Sequence, residues 1–139
     1  MIRLVHNADI AAIFEKLADL LEIEGANPFR IRAYRKAARQ IANLPREAAD
    51  MIEAGENLAD LPSIGDDLAH KIAEIVATGK LHLLDEVSGR VPSGLSDIVA
   101  LPGLGPKRAK LFYDHLGVRS RGELASKIKS GAANGLPGI

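Results

Sequence analysis

The sequence contains Leu61-Pro62-Ser63-Ile64-Gly65, and the same pattern returns 40 residues later as Leu101-Pro102-Gly103-Leu104-Gly105. Each copy follows a short apolar stretch and precedes a segment with helical periodicity, in which apolar residues occupy matching offsets: Ala69 and Ile72 after the first copy, Ala109 and Phe112 after the second. The pattern therefore predicts a helix, a tight turn and a second helix, written twice. A third copy, Leu136-Pro137-Gly138-Ile139, stops one residue before its closing glycine, and we interpret the sequence as part of a longer protein.

Glycine in such a turn tolerates positive φ and lets a ligand approach the main chain closely. Its N–H and the unpaired N–H groups of the following helix converge where the helix dipole is positive, which suits a phosphate oxygen. A contact made by backbone amides reads no bases, so binding would be independent of sequence, provided that the turns are not packed inside the protein. The alternative is a compact connection between two helices. Basic residues beside both copies favour the phosphate interpretation: Lys71, Lys107, Arg108 and Lys110.

Helical signals occur along the chain and alternating strand patterns do not, so the sequence predicts an all-α protein. Asn7 is expected to cap the first helix, Asn27-Pro28 to open the second, and Gly79 to end a helix from Asp66 to Thr78. We predict two domains, residues 1–87 with the first turn and residues 95–139 with the second. Residues 88–94, rich in Gly, Pro and Ser, are expected to form a linker between them.

The composition excludes several classes of function. The 139 residues include 18 Lys+Arg and 18 Asp+Glu, so only local patches support a polyanionic partner. Residues 30–39 hold Arg30, Arg32, Arg35, Lys36 and Arg39 with no acid, and this basic run is either a solvated surface or a DNA-backbone surface. There are no cysteines, the four histidines lack ligand spacing, and no apolar run approaches membrane-spanning length. We predict a cytoplasmic protein with no His or Cys metal site.

Pairs of such turns resemble helix-hairpin-helix DNA-binding motifs. The wider sequence is similar to the amino-terminal region of family X DNA polymerases, above all the bacterial members, in N-P-F-R-I-R-A-Y-R-K-A-A (27–38), the first turn, and A-T-G-K-L (77–81). The resemblance extends from about Asn7 to the end of the sequence. It implies a helical domain of the polymerase β 8 kDa type over residues 1–87, followed by a second helix-hairpin-helix subdomain. The polymerase palm and the carboxy-terminal PHP phosphoesterase domain of bacterial members would lie outside this chain.

The resemblance also implies contacts, because the family's hairpins bind the DNA backbone on both sides of a gap. The expected DNA-binding residues are Arg30, Tyr34, Arg35, Lys36, Arg39, Gly65, Lys71, Gly103, Gly105, Lys107, Arg108 and Lys110. Main-chain carbonyls in such hairpins often hold a sodium or potassium ion, which here implies Ala59, Leu61 and Ile64 at the first turn and Val99, Leu101 and Leu104 at the second. Divalent metals would belong to catalytic domains elsewhere.

Some family members remove a 5′-deoxyribose phosphate through a lysine Schiff base, and Lys71 falls at the position of that lysine. Tyr34 matches the family tyrosine beside that pocket. Neighbouring positions that are often basic in the family hold Ala59, Asp67 and Leu83 here, and only Arg30 keeps a charge. Because phosphate-binding charge is lost around the amine, we expect lyase activity to be weak or absent.

We predict sequence-independent binding of gapped or nicked DNA by the amino-terminal part of a polymerase of base excision repair, a nucleotidyltransferase. The expected partner is DNA, including 5′-phosphorylated ends, with no membrane and no small-molecule cofactor, and the protein is expected to be a monomer at the bacterial nucleoid. Two alternatives stay open. The chain is a non-catalytic structural DNA-binding protein, or its hairpins form a protein-interaction module.

Overall fold

The computed structural model describes residues 5–91, 94–99, 101 and 104–129. Over these residues the protein is all-α, which confirms the predicted fold class. The helices, numbered in chain order, are α1 (Asn7–Glu24), α2 (Pro28–Ala42), α3 (Ala48–Glu53), α4 (Asp66–Thr78), α5 (His82–Arg90), α6 (Gly94–Val99), α7 (Gly105–Leu116) and α8 (Arg121–Lys129), with a 3₁₀ turn at Leu58–Asp60 between α3 and α4. The third copy of the turn pattern lies outside the described residues.

The chain divides into two compact units, of which the first contains residues 5–18 and 29–85. Its core is built from apolar faces at helical spacing on α1, α2 and α4. Phe14 of α1 is fully buried, and its ring lies 5.8 Å from that of Tyr34 on α2, measured between centroids. Ile72 and Ile75 of α4 are also fully buried. Each large side chain buried in this way contributes about 1.5–3 kcal/mol to folding.

The second compact unit contains residues 19–28 and the described residues from 86 onward. Helix α6 packs against α7 and α8, with Leu95 and Ile98 fully buried. Phe112 of α7 is 3% exposed and Leu124 of α8 is 4% exposed, so this unit has an apolar core of its own. A bidentate pair from Arg90 to Glu24, at 2.8 and 3.1 Å, lies at its surface, and this hydrogen bonding raises the pKa of Arg90 above its ordinary value.

The predicted linker is corrected at its first three positions, because α5 continues through Arg90. Val87 is fully buried and Val91 is 6% exposed, so apolar residues four positions apart keep the helix packed beyond Ser88 and Gly89. The boundaries of the two compact units therefore differ from the predicted domains 1–87 and 95–139, since α1 and α5 each contribute residues to both units. Residues 92–93 of the predicted linker lie outside the described part of the chain.

Asn7 caps a different helix from the one its position predicted. It is the first residue of α1, and its side chain, 8% exposed, reaches the segment before α3. Its Oδ1 accepts a hydrogen bond from Ala48 N–H at 2.7 Å, and its Nδ2 donates to the Arg46 carbonyl at 2.7 Å. Ala48 is the first residue of α3, and the residue before it, Glu47, offers that helix no side-chain cap. Asn7 therefore satisfies the amino terminus of α3 from 41 residues away.

Replacing Asn7 with alanine is expected to lower the free energy of unfolding by about 2 kcal/mol, because the buried Ala48 N–H and Arg46 carbonyl lose their partner. Urea denaturation followed by circular dichroism measures the loss. Asn57→Ala is the matched control, since Asn57 caps the 3₁₀ turn with one exposed bond of 3.0 Å to Ala59 N–H and is expected to cost less than about 1 kcal/mol. Equal losses in the two variants would contradict the role given to Asn7.

Candidate nucleic-acid interface

The first hairpin turn is held by two main-chain hydrogen bonds. Leu61 N–H donates to the Leu58 carbonyl at 3.0 Å, and Ile64 N–H donates to the Leu61 carbonyl at 3.1 Å. Ile64 is 3% exposed and anchors the turn to the core, whereas Ser63 and Gly65 are exposed. The turn is therefore fastened by one apolar side chain and presents the rest of its main chain at the surface.

The second hairpin repeats this pattern 40 residues later. Leu101 N–H donates to the Ile98 carbonyl at 3.1 Å, and Leu104 N–H donates to the Leu101 carbonyl at 3.2 Å. The helices that follow the two turns both end at a left-handed glycine, Gly79 with φ 75° and Gly117 with φ 68°. The repeat is thus a structural repeat as well as a repeat in sequence. Gly103, one of the predicted DNA contacts, lies outside the described residues.

The positive φ of the first turn is at Ser63, with φ 67°, and not at its closing glycine. Gly65 has φ −98° and ψ −175°, an extended conformation open to any residue, whereas Gly105 has φ 66°. The role first given to glycine as the residue of positive φ therefore applies at Gly105 and not at Gly65. A left-handed serine costs about 1–2 kcal/mol, which the buried Ile64 and the turn hydrogen bonds offset.

Gly65 is the N-cap of α4 and makes no side-chain cap to it. A Cβ built at Gly65 would have no atom within 4 Å, so the approach to the first amides of α4 is open space. Asp66 and Asp67 occupy the first turn of α4, as predicted, where carboxylates interact favourably with the helix dipole. The first turn is therefore not packed inside the protein, and its glycine leaves room for a ligand.

Lys71 is held by Asp67, one helical turn closer to the hairpin. Its Nζ lies 2.7 Å from one carboxylate oxygen of Asp67 and 2.8 Å from the other. The side chain of Lys71 is 18% exposed, whereas that of Asp67 is 79% exposed. The lysine that the family resemblance marks as a nucleophile and DNA contact is thus part of an internal ion pair.

The basic run on α2 is divided by its surroundings. Arg32, Lys36 and Arg39 are exposed. Arg35 is turned toward α1, where its guanidinium bonds Glu15 Oε2 at 3.0 Å and is 27% exposed. Tyr34 is 3% exposed and belongs to the core, with the exposed Arg30 guanidinium 5.9 Å from its ring centroid. The structure therefore leaves part of the predicted basic face at the surface and uses Tyr34 and Arg35 to pack α2 against α1.

A surface cavity brings the basic run and the first hairpin together. It has a volume of about 410 Å³ and is lined by Phe29, Arg32, Ala33, Lys36 and Ser63. Phe29 is 75% exposed, and the Arg32 guanidinium lies 4.8 Å from its ring centroid. Cationic side chains beside an exposed main-chain turn suit phosphate, and an exposed aromatic face suits an unstacked base. Sequence reasoning missed Phe29, although its place off the apolar face of α2 was a signal.

The basic residues after the second turn are arranged differently. Lys107 and Arg108 are exposed in the first turn of α7, where Gly105 is the first helical residue. Lys110 is half-buried and bonds Asp114, one turn further from the hairpin. A cationic first turn at the positive end of a helix is suited to an anion.

The predicted monovalent-cation ligands lie in both turns, in corresponding positions. The Leu61 and Leu101 carbonyls each accept the turn hydrogen bond described above, which leaves one lone pair on each oxygen. The carbonyls of Ala59, Ile64, Val99 and Leu104 belong to the same described segments. Three main-chain oxygens per turn form a donor set suited to a hard cation.

Within the part of the chain that the structure describes, no helix combines the length and the apolar character needed to cross a membrane. Among the same residues, no three His, Cys, Asp or Glu side chains are grouped so that they could hold a metal ion. His6 lies beside a single carboxylate, with its Nδ1 3.5 Å from Glu47 Oε1.

Two buried-anchor turns, each closed by the same main-chain bonds and followed by a helix ending at a left-handed glycine, define a helix-hairpin-helix protein. The helix-hairpin-helix domain family matches residues 5–81, and the chain belongs to this family. It is 32% identical over 135 residues to the DNA polymerase/3′-5′ exonuclease PolX of Bacillus subtilis (strain 168), covering 97% of this chain and 23% of that protein. It is 30% identical over 115 residues to DNA polymerase lambda of Rattus norvegicus, covering 83% of this chain and 19% of the relative.

These similarities confirm the resemblance to the amino-terminal region of family X DNA polymerases. The chain spans less than a quarter of the length of either relative, so it matches only one part of each.

Proposed function

We propose that this protein binds the DNA backbone independently of sequence and holds gapped or nicked DNA as the amino-terminal part of a DNA repair polymerase. The observation that carries this proposal is the cavity in which Arg32 and Lys36 meet Ser63 of the first turn. Exposed cations attract phosphates at a distance, and the open amides at Gly65 then accept a phosphate oxygen at short range. Both parts of this contact ignore base identity.

The second hairpin extends the contact along the backbone through Gly103, Gly105, Lys107 and Arg108. Two equivalent turns on one chain suit a DNA with two duplex arms, as at a gap or a nick. Nucleotide addition belongs, on this proposal, to a separate catalytic domain of the polymerase, because two-metal transfer needs a carboxylate centre. The same proposal places the protein with chromosomal DNA in a bacterial cytoplasm.

We further propose that sodium or potassium is held by the carbonyls of Ala59, Leu61 and Ile64 in the first turn and of Val99, Leu101 and Leu104 in the second. Both sets are uncharged oxygens in turns of the same hydrogen-bonded form. A bound cation would bring positive charge to the place where a phosphate docks, and the residues of the chain would orient that phosphate through their amides.

Fluorescence anisotropy with a 5′-phosphorylated, one-nucleotide-gapped duplex tests the function. We expect binding that is equal for unrelated sequences, tighter for gapped than for blunt duplex, and weakened by salt with a log–log slope of about −3 if three phosphates are neutralised. Lys36→Gln is expected to flatten this slope by about one, because it removes a phosphate contact. Arg46→Gln is the matched control, since Arg46 is exposed and bonds Glu56 outside the cavity.

Each alternative function has its own outcome in that experiment. Equal affinity for gapped and blunt duplex would favour a structural DNA-binding protein over a polymerase domain. Absence of binding at low salt would contradict DNA binding altogether and favour a protein-interaction module.

Lyase activity is expected to be weak or absent in this chain. A Schiff base requires a neutral amine, and an ion pair with a carboxylate favours the protonated one. Borohydride trapping on an incised abasic duplex should therefore give little covalent complex. A strong crosslink that disappears in Lys71→Ala would contradict this expectation, and a crosslink unchanged by that substitution would assign the chemistry to another amine.

A further inference from the structure

We propose that Asp67 withdraws Lys71 from DNA, so that the first hairpin binds the backbone through its amides and not through this lysine. The inference rests on the proposed function and assigns Asp67 as a residue that sets the strength of the hairpin. Both Asp67 oxygens contact the ammonium, at 2.7 and 2.8 Å, so the pair is closed on itself. Seen from an approaching phosphate, the two side chains together carry no net charge.

The place of the pair on α4 reinforces it. Asp67 lies in the first turn of α4, where the helix dipole stabilises a carboxylate, and the order of acid before base at a spacing of four residues is the favourable one. The lysine is largely covered and the aspartate largely exposed, at 18% and 79% of their side-chain surfaces. A phosphate would therefore meet the carboxylate before it met the ammonium.

The second hairpin shows the opposite arrangement in an equivalent frame. There the first turn of the helix holds Lys107 and Arg108 in place of two aspartates. Lys110 also pairs with an aspartate four residues away, but that partner, Asp114, lies on the side away from the turn. The two hairpins share their main-chain bonds and differ in the charge beside the amides. We infer that the first is the weaker anchor and that Asp67 makes it so.

Four forms of the chain test this inference by anisotropy on the gapped duplex: wild type, Asp67→Asn, Lys71→Gln and the double variant. Asp67→Asn is expected to tighten binding about fivefold and to steepen the salt slope by about one, because it frees a cation for a phosphate. Lys71→Gln is expected to weaken binding about fivefold, since it leaves Asp67 unneutralised beside the phosphate. The double variant should bind within about twofold of wild type, because it removes a pair with no net charge.

Asp85→Asn is the control for net charge, since Asp85 is exposed on α5 and its substitution changes the charge by the same amount. It is expected to leave both the affinity and the salt slope close to wild type. Urea midpoints for all variants show whether the fold is retained.

A double variant that binds at least fivefold more weakly than wild type would overturn the inference, because Lys71 would then be a phosphate contact in the native chain. An Asp67→Asn chain with unchanged affinity and slope would overturn it as well. A wild-type chain that binds no DNA at low salt would overturn the proposed function itself, and this inference with it.

Discussion

Replacing Gly94 with alanine is expected to lower the free energy of unfolding by about 3 kcal/mol, the upper end of the usual cost of overpacking a close-packed site. Gly94 is the first residue of α6, and a Cβ at this position would stand 2.0 Å from the Arg119 carbonyl oxygen and 2.9 Å from Ser120 Cα. Both atoms are main chain, so no side-chain rotation can relieve the clash. The helix that would have to move carries the fully buried Leu95 and Ile98.

Gly89→Ala is the matched control for this substitution. Gly89 lies near the end of α5, and a Cβ there would meet no atom within 4 Å. Alanine is the better helix former, so this variant should be more stable than wild type by up to about 1 kcal/mol. Both glycines lie in the stretch 88–94, which the sequence presents as a linker. Urea denaturation of the two variants decides the matter, because a true linker would accept alanine equally at both positions.

The linker shows which part of the fold a sequence pattern can reach. Gly79 ends α4 where predicted, and α2 begins at Pro28 as predicted, because each boundary is written in adjacent residues. Gly94 carries the same local signal as a flexible glycine, but its role depends on the main chain of residues 119 and 120. Asn7 is a similar case, since its side chain caps a helix 41 residues away. Contacts made across the chain override local preference without leaving a local trace.

The candidate site divides in the same way. The two turns and their helices were predictable, because an apolar anchor and a closing glycine recur at one spacing. Which cations would be available was not predictable. Arg35 and Lys36 are neighbours in the basic run, yet one bonds Glu15 of α1 and the other lines the cavity beside Ser63. A charge count treats the two alike, whereas an ion pair within the fold removes one of them from the surface seen by DNA.

The left-handed serine of the first turn indicates that the main-chain shape is what the motif preserves. The second copy has glycine, Gly103, at the corresponding position, where positive φ would cost nothing. Ser63 takes φ 67° nonetheless, held by the turn bonds and the buried Ile64. A turn that keeps its shape at the expense of backbone strain is one whose amides need a fixed direction, which is what a phosphate contact through the main chain requires.

Gly65→Asn is expected to weaken DNA binding about tenfold while leaving the protein slightly more stable, by a few tenths of a kcal/mol. The conformation of Gly65, with φ −98° and ψ −175°, is that of an ordinary N-cap, so asparagine enters without strain. Its side-chain oxygen would then accept an N–H at the start of α4, where Gly65 offers no cap of its own. The amide proposed to meet phosphate would be satisfied within the protein, and the open approach would be filled.

Opposite changes in binding and stability separate this effect from unfolding, and the substitution leaves the net charge unaltered. Ser63→Gly is the matched control in the same turn. It removes the left-handed strain without adding an acceptor, so it should raise stability by up to about 1 kcal/mol and leave affinity for the gapped duplex as it is. Anisotropy and urea denaturation on the same preparations give both quantities. If Gly65→Asn retained wild-type affinity, the first hairpin would not bind phosphate through its amides, because their capping would have made no difference to the DNA.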